Sequence, residues 1–142
     1  MASQVKNNNK IKIILTVLTI LVMAGVGWLF VHYAKATSDG CVTIIIESDQ
    51  GEVLSTDDIY YKEGDTLIDL LEEKYKGTFK VKEGQYGAYI TSIGDIEEKK
   101  EDNILYYISI YVNDEYANSG ISTLSFKDKD VIKFKLEKYE YQ

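Results

Sequence analysis

Ile13 to Val31, IILTVLTILVMAGVGWLFV, is an unbroken run without a charge, and beyond it the apolar positions fall into short, spaced groups. As a helix this run spans about 28 Å at 1.5 Å per residue, close to the roughly 30 Å of a bilayer's hydrocarbon core. Gly25 and Gly27 are costly in a soluble helix but common in membrane spans, and Trp28, His32 and Tyr33 follow where amphipathic rings favour the interface. The pattern predicts a basic cytoplasmic tail over residues 1–12, a transmembrane helix or uncleaved signal anchor over 13–33, and a linker over 34–41. Ala34-Lys35-Ala36 also fits a cleavage site, which would release a secreted domain. Ser38-Asp39-Gly40 before Cys41 matches a lipoprotein signal badly, because an aspartate stands where a small residue belongs.

From Val42 onward the pattern alternates between two periods. VTIIIES (Val42 to Ser48) is β-branched and apolar, and DIYYKEGD reads as a second strand, with SDQGEVLSTD closing a hairpin between them. GDTLIDLLEEKYKG is the one strong helix signal: Leu67, Ile68, Leu71 and Tyr75 recur at helical spacing, Thr66 with Asp69 matches a capping box, and Gly77 stops it. The period then falls to two. Phe79 and Val81 alternate with lysines, Ala88 to Ile93 forms another strand, and GDIEEKKEDN reads as a polar loop. Ile104, Tyr106, Ile108, Ile110 and Val112 share one face of a further strand, with Leu105, Tyr107, Ser109, Tyr111 and Asn113 on the other. After the turn FKDKD, the strand VIKFKLEKYEY directs Ile132, Phe134 and Leu136 inward. A hairpin, one helix and then several strands predict an α+β fold over residues 42–142: a β-grasp, or ubiquitin-like, domain with the helix on a mixed sheet.

Charge follows the same division. The formal net charge is −7, yet the stretch up to Ala36 holds Lys6, Lys10, Lys12 and Lys35 and no acid. The basic tail argues for an amino terminus inside the cell and the acidic domain outside. Arginine is absent throughout. An acidic, arginine-free domain offers no basic face for phosphates, which excludes nucleic acid as a partner. The lysine- and asparagine-rich composition suits an AT-rich, Gram-positive bacterial genome. Cys41 is the single cysteine, so it is a spare thiol or an intermolecular link.

The inventory for catalysis is poor. His32, the only histidine, lies at the end of the apolar segment, so the domain has no imidazole base and no Ser–His or Cys–His pair. Zinc would need Cys or His clusters, and the acidic turns around Asp114 and Asp128 fit no calcium loop. These observations predict a protein that is not an enzyme and uses no catalytic cofactor or metal. Binding is the remaining class. Four of the chain's 12 tyrosines fall in LYYISIYVNDEYANSG (Leu105 to Gly120). Tyrosine supplies rigid contact area with a polar tip, although it is equally at home as a strand residue.

GAYITSIGDI, LYYISIYVNDEYANSGIS, FKDKDVIKFKLEKY and EGDTLIDLLEE together resemble the C-terminal β-domain of the cobalamin carriers transcobalamin and intrinsic factor, and the bacterial domain family named for that likeness. The resemblance covers about Val42 to Tyr139, nearly all of the domain. It implies a ligand site built from Thr91, Ser92 and Ile93, from Tyr107 in a slot usually held by tryptophan, and from the loop residues Ser119, Gly120 and Ile121. It also implies cobalamin or another corrinoid as a bound ligand rather than a catalytic cofactor. The carriers close that ligand against a helical barrel. This sequence contains none, so a partner surface protein or transporter is expected to supply the other half. The expected function is a membrane-anchored extracytoplasmic ligand-binding domain; the alternative is a cell-surface interaction or adhesion module without a small-molecule ligand.

Overall fold

In a computed structural model the described residues are 9–22, 35–85 and 87–142, and the chain divides into two units, Met1–Tyr33 and Ala34–Gln142. In the first, residues 9–22 form helix α1, exposed along its length. The hydroxyls of Thr16 and Thr19 donate to the carbonyls of Lys12 and Leu15, at 2.9 Å each, so neither needs an outside partner. No helix among the described residues is long and apolar enough to cross a membrane. The expected span over 13–33 is described only as far as residue 22, and the rest of it lies outside the described residues.

The second unit is α+β. Its strands are β1 (Gly40–Glu47), β2 (Val53–Tyr61), β3 (Lys80–Gly84), β4 (Gly87–Ile93), β5 (Ile96–Glu97), β6 (Lys99–Glu101), β7 (Ile104–Val112), β8 (Glu115–Tyr116) and β9 (Val131–Glu140), with helix α2 (Leu67–Lys74) after β2. A large sheet runs in the order β2-β1-β9-β7-β6, with β8 folded back on β7, and a small sheet runs β3-β4-β5. β1 and β9 are parallel neighbours; each is antiparallel to its other partner, β2 and β7 respectively.

One core joins these parts. Val42, Ile44 and Ile46 of β1 and Ile132 and Phe134 of β9 are almost completely buried, together with Leu67 and Leu71 of α2, Ile93 of β4 and Ile121. Ile132, Phe134 and Leu136 point inward as their alternation predicts. The buried stripe of α2 is Leu67, Leu70 and Leu71, while Ile68 and Tyr75 pack half-buried against it. The Thr66 side chain accepts from the Asp69 amide at 3.2 Å, satisfying an orphan donor of the first turn. Asp69 also places its negative charge beside the positive end of the helix dipole.

Three regions differ from the pattern. β1 begins at Gly40, inside the expected linker, because Gly40 and Cys41 already pair with Tyr61 and Tyr60 of β2. β2 begins at Val53, so the hairpin turn is tighter than the sequence suggests, with Gly51 at φ 81°. The segment GDIEEKKEDN is not a plain loop, since it contains β5 and β6. Ile96, only 2% exposed, anchors β5 in the core, and Gly94 permits the bend before it. A Cβ on Gly94 would lie 2.7 Å from the Ile46 side chain, and its φ of +57° already disfavours other residues. β6 consists of exposed charged residues at the sheet's edge, a composition that discourages further strand pairing while hiding the strand from a hydropathy reading.

Candidate functional site

Helix α2 and the small sheet share the core with one face of the large sheet, and the opposite face carries the second set of β7 residues. Tyr107, Ser109 and Tyr111 project there beside Glu137 of β9, which pairs directly with Tyr107. Glu137 accepts three hydroxyl hydrogen bonds: from Tyr111 at 2.5 Å, from Ser109 at 2.9 Å and from Tyr107 at 3.3 Å. Nearby, Glu47 is largely buried between Lys133 and Lys135, at 3.4 and 3.5 Å, and Lys133 also reaches Asp114 at 3.6 Å. Tyr111 meets Tyr116 of β8 edge-to-face, with ring centroids 5.7 Å apart. An aromatic row, Tyr107, Tyr111 and Tyr116, therefore crosses this face toward the β7–β8 hairpin.

The row ends at a cleft of about 530 Å3, within the size range of small-molecule sites. Tyr116, Asn113, Ser119, Thr123, Ser125 and Lys127 are among its lining residues. Its wall is firmly held. Asn113 and Asp114 turn the hairpin with φ of 51° and 69°, the left-handed pair that suits a two-residue turn. The Asn113 side chain donates to Asp130 and accepts from the Val131 amide, both at 2.9 Å, which ties the turn to the start of β9. On the other side, the Ala88 amide donates to the Ser122 hydroxyl at 3.2 Å and fastens the following loop to β4.

The residues that the resemblance implies do not converge on one surface. Thr91, Ser92 and Ile93 lie in β4, the middle strand of the small sheet, and all three are buried. The Thr91 and Ser92 hydroxyls donate to the carbonyls of Lys80 and Thr78, at 3.3 and 2.6 Å. Ile121 is 1% exposed and belongs to the core. Tyr107 is exposed on the outer face, Ser119 lines the cleft, and Gly120 is half-exposed beside it. Tyr116 and Glu137 are the two residues that the sequence reading missed. Tyr116 stood inside the quoted tyrosine-rich stretch. Glu137 sits in the outward row Lys133, Lys135, Glu137, Tyr139, and only the cross-strand register reveals that it faces Tyr107. No group of three or more His, Cys, Asp or Glu side chains suited to a metal ion occurs among the described residues.

The hydroxyl cluster polarises both partners. Burial pushes the Glu137 carboxyl up, but the hydrogen bonds from Tyr111, Ser109 and Tyr107, helped by Lys135, outweigh it and hold the group below its ordinary value of 4.5. Tyr111 is pushed up to about 12, first by its hydrogen bond to Glu137 and then by burial. For Glu137 the folded value is depressed, so its contribution is present at neutral pH and is lost as pH falls below about 4.5. For Tyr111 the folded value is raised, so its contribution is complete below about pH 10, the ordinary phenol value, and is lost between there and about 12. Urea midpoints across pH are expected to fall at both ends, and Tyr111→Phe should flatten the alkaline limb.

The family model described as Domain of unknown function (DUF4430) matches residues 64–138. No curated protein matches the chain significantly. Among solved structures, a candidate metal-binding protein from Ruminococcus gnavus ATCC 29149 is similar at 14% identity and a TM-score of 0.52, over 72% of this chain and 99% of that one. Haptocorrin in complex with Cbi is similar at 16% identity and a TM-score of 0.54, over 75% of this chain. This chain spans only 26% of haptocorrin. At such identities the likeness concerns the fold alone, which this chain shares with the matched part of haptocorrin.

Proposed function

Since this chain belongs to the DUF4430 family, we propose that it is an extracytoplasmic ligand-binding module, held at the membrane by the segment that ends at Tyr33, that takes up one side of a corrinoid or a similar flat, polar ligand. The observation that carries this reading is the aromatic row Tyr107, Tyr111 and Tyr116 leading into the cleft beside Ser119 and Gly120. Ring faces of this kind offer apolar contact, and the hydroxyl and amide groups of the cleft offer hydrogen bonds to a ligand's polar rim. The structural likeness to haptocorrin in complex with Cbi supports the choice of ligand class. The β-grasp reading of the fold rests on the β1–β2 hairpin, the helix that follows, and the parallel insertion of β9 against β1. Binding rather than catalysis agrees with a domain sequence that has no histidine.

The uncharged run and the lysines before it support the anchor and its orientation. The ligand reading is tested by titrating cobinamide and cobalamin into the full chain in detergent micelles and following the corrin absorption bands. A saturable spectral shift that weakens roughly tenfold in Tyr116→Ala, the loss expected for one aromatic contact, is the predicted result. Unchanged bands at high micromolar protein would refute the ligand class.

A further inference from the structure

A second cleft lies at the open end of the β1–β2 hairpin, away from its turn. Gly40 opens β1 and pairs across the sheet with Tyr61, which closes β2. Tyr61 is 4% exposed, with its ring set edge-on to Phe126 at a centroid distance of 5.0 Å. Its hydroxyl is buried and finds no hydrogen-bond partner among the described residues. A buried hydroxyl left unmatched is unfavourable and uncommon in a folded protein. Gly40 makes room for it: a Cβ there would lie 2.5 Å from the hydroxyl oxygen and 2.9 Å from the Asp128 Cβ. The hydroxyl is thus held against Gly40 with Asp128 on the same side, and all three residues line a cleft of about 480 Å3.

The remaining lining residues are Asp39, Cys41, Tyr60 and Lys62, beside Tyr61 itself, so two carboxylates face one ammonium group. One oxygen of each carboxylate is engaged by backbone: Asp39 accepts from the Glu63 amide at 2.8 Å and Asp128 from the Cys41 amide at 2.9 Å. The Tyr60 ring is 81% exposed at the rim. Two further acids stand close to this region and are occupied elsewhere. Asp130 pairs with Lys127 at 3.3 Å and accepts from Asn113, while Asp58 accepts from Thr43 at 2.7 Å. Burial raises the Tyr61 pKa, and the negative groups Asp128, Asp130 and Asp39 raise it further, so the hydroxyl stays protonated in a negative surrounding.

We propose that this cleft binds a small organic ammonium ion. Asp39 and Asp128 supply the countercharge, the exposed face of Tyr60 supplies cation–π attraction, and the Tyr61 hydroxyl oxygen accepts an N–H from the guest. Asp128 stands at an exposed turn next to Lys129, whose φ is 71°, and binding requires its side chain to shift as it pairs with the guest, so that the buried Tyr61 hydroxyl is opened to the cleft. The site shares no lining residue with the cleft beside Ser119, so it stands apart from the corrinoid reading.

Propylammonium titrated calorimetrically into the full chain in detergent micelles is the test, with butanol as the neutral control of similar shape. The expected result is saturable one-site binding of propylammonium and none of butanol. Affinity should fall roughly tenfold in Asp128→Asn and again in Tyr61→Phe, as for the loss of a charge-assisted hydrogen bond. Tyr61→Phe keeps the ring against Phe126 and removes the unmatched hydroxyl, so its thermal midpoint should rise and binding can be measured on a folded protein. Absence of saturable binding at millimolar propylammonium would overturn the proposal, as would an affinity untouched by Tyr61→Phe.

Discussion

Glu137→Ala is expected to lower the unfolding free energy by about 2–3 kcal/mol, a large effect for a residue outside the core. The side chain serves three hydroxyls at once, from Tyr107, Ser109 and Tyr111. Ser109 is 3% exposed and Tyr111 is half-buried, so both are left short of an acceptor in places where water replaces it poorly. The losses are coupled, because one carboxylate is shared. Tyr111→Phe should therefore cost much less in the Glu137→Ala background than in the native chain. Glu137→Gln keeps an acceptor oxygen and should recover part of the loss. Urea denaturation of the native chain, both single variants and the double variant measures the coupling, and additive effects would show that the cluster does not act as a unit. The same variant should loosen Tyr107 and Tyr111, so a weaker corrin response would accompany the lower stability.

Phe134→Ala is expected to be the more damaging of the two, at about 3–5 kcal/mol. Phe134 is fully buried, pairs with Ile46 on one side and Ile110 on the other, and sits on the strand that joins both halves of the large sheet. Domains of this size are typically stable by about 5–15 kcal/mol, so the variant should unfold at much lower urea or fail to fold at all. Phe134→Leu, which keeps most of the volume, should cost about 1.5 kcal/mol or less. A Phe134→Ala protein with a near-native urea midpoint would mean that the core lies elsewhere.

How much of this was visible beforehand depended on what kind of information each feature carries. Alternation within one strand shows which side chains share a face, and Ile132, Phe134 and Leu136 were placed correctly for that reason. Helical spacing likewise located α2. Alternation does not say which face of β7 is covered, because that is decided by where α2 and the small sheet pack. The β4 triplet and Tyr107 are consequently separated, one in the interior and the other on the outer face, although only a short stretch of chain links Ile93 to Tyr107. β5 and β6 were hidden because strands so short bury too little to leave a periodic mark, and β6 is charged throughout. Glu137 was concealed differently: its role arises from register with β7, a long-range property that no local window contains. The orphaned Tyr61 hydroxyl was invisible for the same reason, as it depends on what Gly40 and Asp128 leave beside it.

The parallel pairing of β1 with β9 has a temporal consequence. The first strand of the domain and its last lie side by side at the centre of the large sheet, with all of Ser48 to Asp130 between the paired segments. A nascent chain halted before Val131 could close the first hairpin but would leave β1 and β7 facing an empty lane. Assembly therefore waits for nearly the whole domain, and such distant contacts make for slow, late folding. Until then two apolar strand edges stay open to wrong partners, which makes β9 the natural place to look for mutations that lower yield without touching either cleft.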